Sequence, residues 1–141
     1  MKFNIKFLKE FMAHAEAVTC IIINEKWNII ISGGEDGFVY IRNYYDLKII
    51  TVIKPEFKVN ANNVNMKIID LYISDYNLLY VNCYFQDEFY LFGYNLNGLS
   101  FGNIKCAVNQ IEFSPTGKLI ISEYFSKELA VYHPVSFKLV S

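Results

Sequence analysis

The sequence predicts an all-β fold built from about three repeats of four short antiparallel strands, and three observations carry that expectation. The first is composition. Of 141 residues, 53% are hydrophobic and 19% charged, and 12 Phe and 11 Tyr stand largely beside Ile and Val. Aromatic and β-branched side chains together suit a pleated surface better than a helix. The second is internal similarity with a spacing near 40 residues, the mark of a small unit stacked on copies of itself. The third is turn chemistry: Asn24-Glu25-Lys26, Ser74-Asp75-Tyr76 and Ser114-Pro115-Thr116-Gly117 each separate two apolar runs, as hairpin turns do.

The repeat is clearest at three segments: Val18-Thr19-Cys20-Ile21-Ile22-Ile23, Ile68-Ile69-Asp70-Leu71-Tyr72-Ile73 and Val108-Asn109-Gln110-Ile111-Glu112-Phe113. Each carries a branched or aromatic residue at its first, fourth and sixth positions. After the turn, a second apolar run ends in a small polar residue at the same offset from the segment start: Ser32, Asn82 and Ser122. Third strands are expected over 38–41, 89–92 and 129–132, and fourth strands over 49–53, 99–104 and 137–140. Residues 3–11 read as the last strand of a preceding unit. The surplus spacing between the first two units falls in a Pro- and Asn-bearing loop over 54–65. Four short strands per unit, joined by tight turns, make a blade. The expectation is therefore a partial β-propeller of about three four-stranded antiparallel blades plus one orphan N-terminal strand. Its divisions are 1–11, then 12–54, 55–104 and 105–141.

Blades bury both faces on their neighbours, which accounts for a mean hydropathy of +0.20 without a membrane span. Three blades do not close a ring, so two faces are expected to stand open, and open apolar faces associate. The chain reads as a piece of a larger propeller, completed by blades in cis or in trans, and alone it is expected to self-associate or dissolve poorly.

Charge and cysteine usage narrow the function classes. The net charge is −1 and the single arginine is Arg42. Neither a global field nor the guanidinium groups that read phosphate and guanine are present, so no nucleic-acid partner is expected. Apolar runs such as 21–23 and 29–31 fall far short of the ~18 residues that a membrane helix needs, so membrane association would be indirect only. The first ten residues alternate charged and apolar positions and lack a signal-peptide block, which points to cytoplasmic residence. Cys20, Cys83 and Cys106 are odd in number and form no Cys-x-x-Cys pair. They support neither a zinc knuckle nor a disulfide framework, and no cofactor is expected.

Two resemblances refine this. Ala13-His14 through Val18, followed by Ile31-Ser32-Gly33-Gly34-Glu35-Asp36-Gly37-Phe38-Val39-Tyr40-Ile41-Arg42-Asn43, resembles a WD repeat, with Arg42-Asn43 where Trp-Asp would stand. The resemblance implies that His14, Asp36 and Ser32 hydrogen-bond across the first blade, the tryptophan partner being lost. In the third unit Ser126, Tyr132 and His133 fall where Asp, Trp and Asp would be, so that unit is degenerate; the second unit slips by a residue after Asn82. A narrower resemblance rests on Ala13-His14 through Val18-Thr19-Cys20, then Ile30-Ile31-Ser32-Gly33, and on Phe92-Gly93-Tyr94-Asn95-Leu96-Asn97-Gly98. These stretches look like the propeller C-terminal to the BEACH domain in large vesicle-trafficking scaffolds. No BEACH segment lies in these residues.

Individual residues divide between chemistry and architecture. His14 has no second His or Cys at ligand spacing, so a hydrogen-bonded structural role is favoured over metal binding or base catalysis. Asp36, just before Gly37, suits turn stabilisation better than catalysis. Gly33-Gly34 with Gly37 lacks the spacing and the following helix of a phosphate loop. Cys20 and Cys83 fall within apolar strands, whereas Cys106 precedes a strand and is the one candidate for reactivity. Tyr84-Phe85 and Phe89-Tyr90 suit inter-blade core more simply than a ligand-stacking surface. The loop over 54–65, with Lys54, Glu56, Phe57 and Lys58, is the candidate partner contact, because function concentrates on loops held by a rigid scaffold.

The expected function is a non-catalytic protein–protein interaction scaffold, which the BEACH resemblance would place in vesicle and membrane traffic. Two other readings stay open. One is a WD-repeat subunit of another assembly, in RNA processing or as a ubiquitin ligase adaptor. The other is a propeller hydrolase, which would need clustered acids or metal ligands.

Overall fold

The structure, a computed structural model, describes residues 9–57 and 66–140. Three antiparallel sheets follow one another along the chain. The first holds β1 (Val18–Asn24), β2 (Ile29–Gly34), β3 (Val39–Asn43) and β4 (Ile49–Ile53). The second holds β5 (Lys67–Ile73), β6 (Leu78–Phe85), β7 (Glu88–Asn95) and β8 (Ser100–Lys105). The third holds β9 (Val108–Phe113), β10 (Leu119–Glu123) and β11 (Leu129–Tyr132). Spatial order equals chain order in every sheet. Each sheet is thus a meander that forms one blade, and the fold is an all-β partial β-propeller.

A shared irregularity explains the apolar pattern at the first, fourth and sixth positions. In a regular strand the first and fourth residues point to opposite faces. Here the first strand of every blade carries one unpaired residue near its start. Thr19 is skipped between Val18 and Cys20, Ile69 between Ile68 and Asp70, and Asn109 between Val108 and Gln110. The bulge returns the parity, so Ile68, Leu71 and Ile73 share one face, and so do Val108, Ile111 and Phe113.

Those faces are where blades meet. Ile68 and Leu71 are buried in a cluster with Ile31, Val39, Ile41 and Ile53 of blade 1. Val108 and Ile111 are buried with Tyr80 and Leu91 of blade 2. Polar groups cross the same seams. The Thr19 hydroxyl is shared between the carbonyls of Ile68, at 2.7 Å, and Gly33, at 3.1 Å. The Trp27 indole N–H donates to Asn77 Oδ1 at 2.9 Å, and the Tyr80 hydroxyl to the Pro134 carbonyl at 2.7 Å.

Register corrects the equal offset of Ser32, Asn82 and Ser122. Ser32 pairs with Ile21, but it is Val81 that pairs with Leu71 and Ile121 that pairs with Ile111. The β1–β2 connection is one residue longer than its counterparts. Asn82 and Ser122 consequently match Gly33, Asn82 lying on the face of blade 2 that meets blade 3 and Ser122 on the corresponding face of blade 3, whereas Ser32 faces the opposite way. The slip lies in the hairpin turn, ahead of Asn82.

Two strand expectations also change. Among the described residues the third blade has three strands. Phe137, at φ 56°, takes the place that Leu47, at φ 62°, has before β4, and its ring packs on Phe101 and Tyr80. Leu139 then bridges to Tyr132 and the Val140 N–H donates to the Val131 carbonyl at 2.7 Å, so pairing with β11 begins where the described residues end. Of the orphan strand over 3–11, residues 9–11 are exposed and irregular, and 1–8 lie outside the described residues.

Candidate functional site

The densest polar cluster among the described residues belongs to blade 1. The segment leading into β1 brings His14 against the turn between β2 and β3. His14 Nδ1 donates to Asp36, 3.0 Å from Oδ1 and 3.2 Å from Oδ2, and Nε2 lies 2.9 Å from Ser32 Oγ. Asp36 also accepts the backbone N–H of Ala15 at 3.0 Å and of Phe38 at 3.2 Å. One carboxylate therefore ties the chain entering the blade to its second turn. All three side chains are buried, at 5 or 6% exposure, where an unpartnered polar group would be costly.

Glycine permits this closeness. A Cβ on Gly34 would stand 2.7 Å from His14 Nδ1 and 2.9 Å from Asp36 Oδ1. Gly37, at φ +83°, turns the chain in the left-handed region and presses on the Met66 carbonyl, where a Cβ would lie 2.6 Å away. The segments at 13–15, 34–38 and 66 thus converge on one rim, because antiparallel strands alternate rims.

Arg42 occupies the position where the WD pattern has tryptophan, and it is buried. Its guanidinium lies 4.9 Å from the Tyr40 ring centroid and 5.3 Å from that of Phe11. It donates from Nη2 to the Ala13 carbonyl at 3.0 Å, and Nη1 is 3.5 Å from Ser32 Oγ. A planar, stacking N–H donor is retained although the indole is not. By the WD pattern alone, the tryptophan partner is absent from this sequence. The signal that could have found Arg42 in its place was the chemistry of the substitute: a flat cation beside Tyr40 with several donors.

Ser32, His14 and Asp36 stand in the hydrogen-bonded order of a hydrolase relay. Here Ser32 Oγ is buried and already engaged by His14 and Arg42, so the arrangement closes the blade on itself. Among the described residues, no three His, Cys, Asp or Glu converge as metal ligands. Nor are the cysteines poised as nucleophiles. Burial pushes all three thiols above their ordinary value, with the Glu123 carboxylate adding to the effect at Cys106 and Asp70 at Cys20. Cys106, the one candidate for reactivity, is 2% exposed.

The crossover from blade 1 to blade 2 is pinned as well as looped. Pro55 is buried, and Phe57 packs at 4.8 Å on Tyr90, 5.6 Å on Phe92 and 6.0 Å on Phe85. Lys54 Nζ sits 5.6 Å from the Phe38 ring centroid. Glu56 is exposed beside an open groove of about 540 Å³ lined also by Phe101 and Asn103. Lys58 and the rest of the loop to 65 lie outside the described residues. Phe85 and Tyr90 pack on the inter-blade core, while Tyr84 packs with its ring tilted against Phe89 and donates to Asp87 at 2.6 Å.

Comparison with solved structures supports the same architecture. The computationally designed Ika4 protein superposes with a TM-score of 0.67 at 14% identity, covering 94% of this chain and 75% of that one. The designed Ika8 protein gives 0.65 at 14% identity, over 91% and 36%. The β-propeller domain of Myceliophteria thermophila Cps50 (Swd1) gives 0.64 at 19% identity, over 88% and 42%. This chain thus spans about two fifths of that propeller domain. No family model matches the sequence, and no curated protein matches it.

Proposed function

We propose that the chain is a non-catalytic protein–protein interaction module of propeller type. One observation carries the reading: the His14–Asp36–Ser32 cluster and the Gly37–Met66 contact hold several connections rigidly on a single rim. A rigid scaffold that presents loops is the arrangement from which binding surfaces are made. Glu56 and Lys54, on the crossover at that rim, are the contact residues, with Phe57 as the anchor that positions them. The setting is cytoplasmic. The trafficking context is supported by the two motif stretches at 13–33 and 92–98 that resemble BEACH-associated propellers.

The test is site-specific photocrosslinking in cells. A crosslinker at Glu56 should give a discrete protein adduct, and one at Lys48, on the opposite rim, should not. Equal adducts at both positions, or none at either, would reject the rim. Recovery of trafficking components in the Glu56 adduct would support the BEACH-type setting; components of RNA processing or ubiquitin transfer would favour the other subunit readings. The hydrolase reading has the Ser32–His14–Asp36 geometry in its favour. It fails when a serine-directed fluorophosphonate probe leaves Ser32 unlabelled on the folded protein.

A further inference from the structure

We propose that Phe125, in the turn between β10 and β11, is the apolar anchor of the rim described above, and that it seats in a pocket of a folded protein partner bordered by basic side chains. This anchor presupposes the protein-binding rim and adds the side chain that carries most of the contact.

Phe125 stands where an aromatic residue is costly to keep. Its side chain is fully exposed, at 105%, and its φ is 64°, in the left-handed region that disfavours bulky residues. Leu47 and Phe137 share that conformation. Leu47, however, is half-buried, and Phe137 is 8% exposed against Phe101 and Tyr80. Burial offsets the backbone cost at those two positions. Phe125 has only the adjacent Tyr124 ring, 6.4 Å away between centroids and itself 54% exposed. A glycine would fit this turn better, and a strained residue that the fold does not need is a mark of function.

The turn is held firmly. The Tyr124 N–H donates to the Ala107 carbonyl at 3.0 Å and the Ser126 N–H to the Glu123 carbonyl at 3.3 Å. Ser126 Oγ accepts the Glu128 N–H at 3.1 Å. A ring carried on a fixed turn loses little freedom on binding, as an aromatic anchor requires. Its exposure does not depend on how many blades follow. The matching turn of blade 2 has a blade on either side, and its tip residues Gln86 and Asp87 are exposed all the same.

Charge selects the partner. Among the described residues of this rim, Glu16, Glu35, Glu56, Asp87, Glu123 and Glu128 stand against Lys54, Lys67 and Lys127, while Glu88 and Lys105 are paired at 2.7 Å. An acidic border is repelled by an anionic bilayer and complements Lys or Arg around an apolar pocket.

Photocrosslinking in cells tests the anchor, with p-benzoylphenylalanine, itself aromatic, at position 125. A discrete adduct should form, and peptide mapping should place its attachment point on the partner among apolar residues bordered by Lys or Arg. With the crosslinker at Glu56 instead, Phe125→Ala should lower adduct yield by about tenfold or more, as removal of a hot-spot aromatic does. Phe125→Gly should melt at or above the parent, because glycine relieves the turn. An undiminished Glu56 adduct in Phe125→Ala would overturn the anchor and leave the rim standing; no adduct from either position would overturn both. An adduct from 125 without one from Glu56 would keep the anchor and remove only the Glu56 contact. The anchor also fails on an attachment point outside such a pocket, an adduct of two copies of this chain, or a lower melting midpoint in Phe125→Gly. Phe125-dependent sedimentation with vesicles of phosphatidylserine and phosphatidylcholine would overturn it in favour of a bilayer.

Discussion

At the scale of single residues, the blade 1 cluster concentrates the cost of a mistake. Asp36 satisfies the His14 ring and two backbone N–H groups with one carboxylate. Asp36→Ala should therefore lower stability by roughly 1–3 kcal/mol, the usual penalty for orphaned buried donors, read as a lower urea midpoint at unchanged m-value. Gly34→Ala should disrupt the same contacts without deleting a partner, since its Cβ has no room beside His14. Arg42→Leu leaves the Ala13 carbonyl and the Ser32 hydroxyl without their donor and should cost a similar roughly 1–3 kcal/mol. Arg42→Trp, which restores a stacking N–H donor, should cost less than Arg42→Leu in a thermal melt; equal losses would mean that stacking and donation at this position contribute nothing. His14, Asp36 and Ser32 were legible in the sequence through the WD-repeat resemblance of the stretches that hold them. The role of Arg42 was not, since nothing local says that a charged side chain lies flat on Tyr40.

At the scale of elements, turns and bulges decide what each strand buries. The first-strand bulge converts an odd spacing into one apolar face, and the longer β1–β2 turn moves Ser32 to the face opposite that of Asn82. The connection after the third strand is another shared device. Asn43 Oδ1 accepts the N–H groups of Tyr45 and Asp46, and His133 Nδ1 accepts those of Val135 and Ser136. Leu47 and Phe137 then take φ 62° and 56°. A different side chain performs the same capping, so the third unit that reads as degenerate keeps its turn. The crossover depends on Phe57. Phe57→Ala should cost about 1–3 kcal/mol, less than the 3–5 typical of a fully buried Phe. Faster amide exchange should be confined to the crossover, and unchanged exchange there would show that Phe57 does not pin it.

For the whole molecule, burial of phenols and thiols sets the response to alkali. Burial raises Tyr80 and Tyr94 above their ordinary 10.0; at Tyr72 burial leads and Asp70 adds to it. Cys83 and Cys106 rise above 9.0 for the same reason, with Glu123 contributing at Cys106. The folded state thus prefers the protonated forms. Their contribution is fully present below pH 9 and is lost as pH climbs through 9 to 10 and beyond, where the unfolded chain releases its protons first. The urea midpoint should hold steady from pH 7 to near 9 and then decline; a rise would reverse the assigned sign. Thiol reagents at neutral pH should leave Cys83 and Cys106 unmodified until the chain unfolds.

The residues by themselves determined the class of fold and the places of the turns, and the WD-repeat resemblance pointed to the trio of polar groups in blade 1. Apolar patterning and turn residues are properties of neighbouring positions along the chain. Which side of each sheet meets another blade was decided only in three dimensions, because one added residue in a turn exchanges the two faces of everything after it. The same holds for the exposure of Ile21 against the burial of Leu71. Their chemistry is alike, and what separates them is that blade 1 stands in front of Leu71.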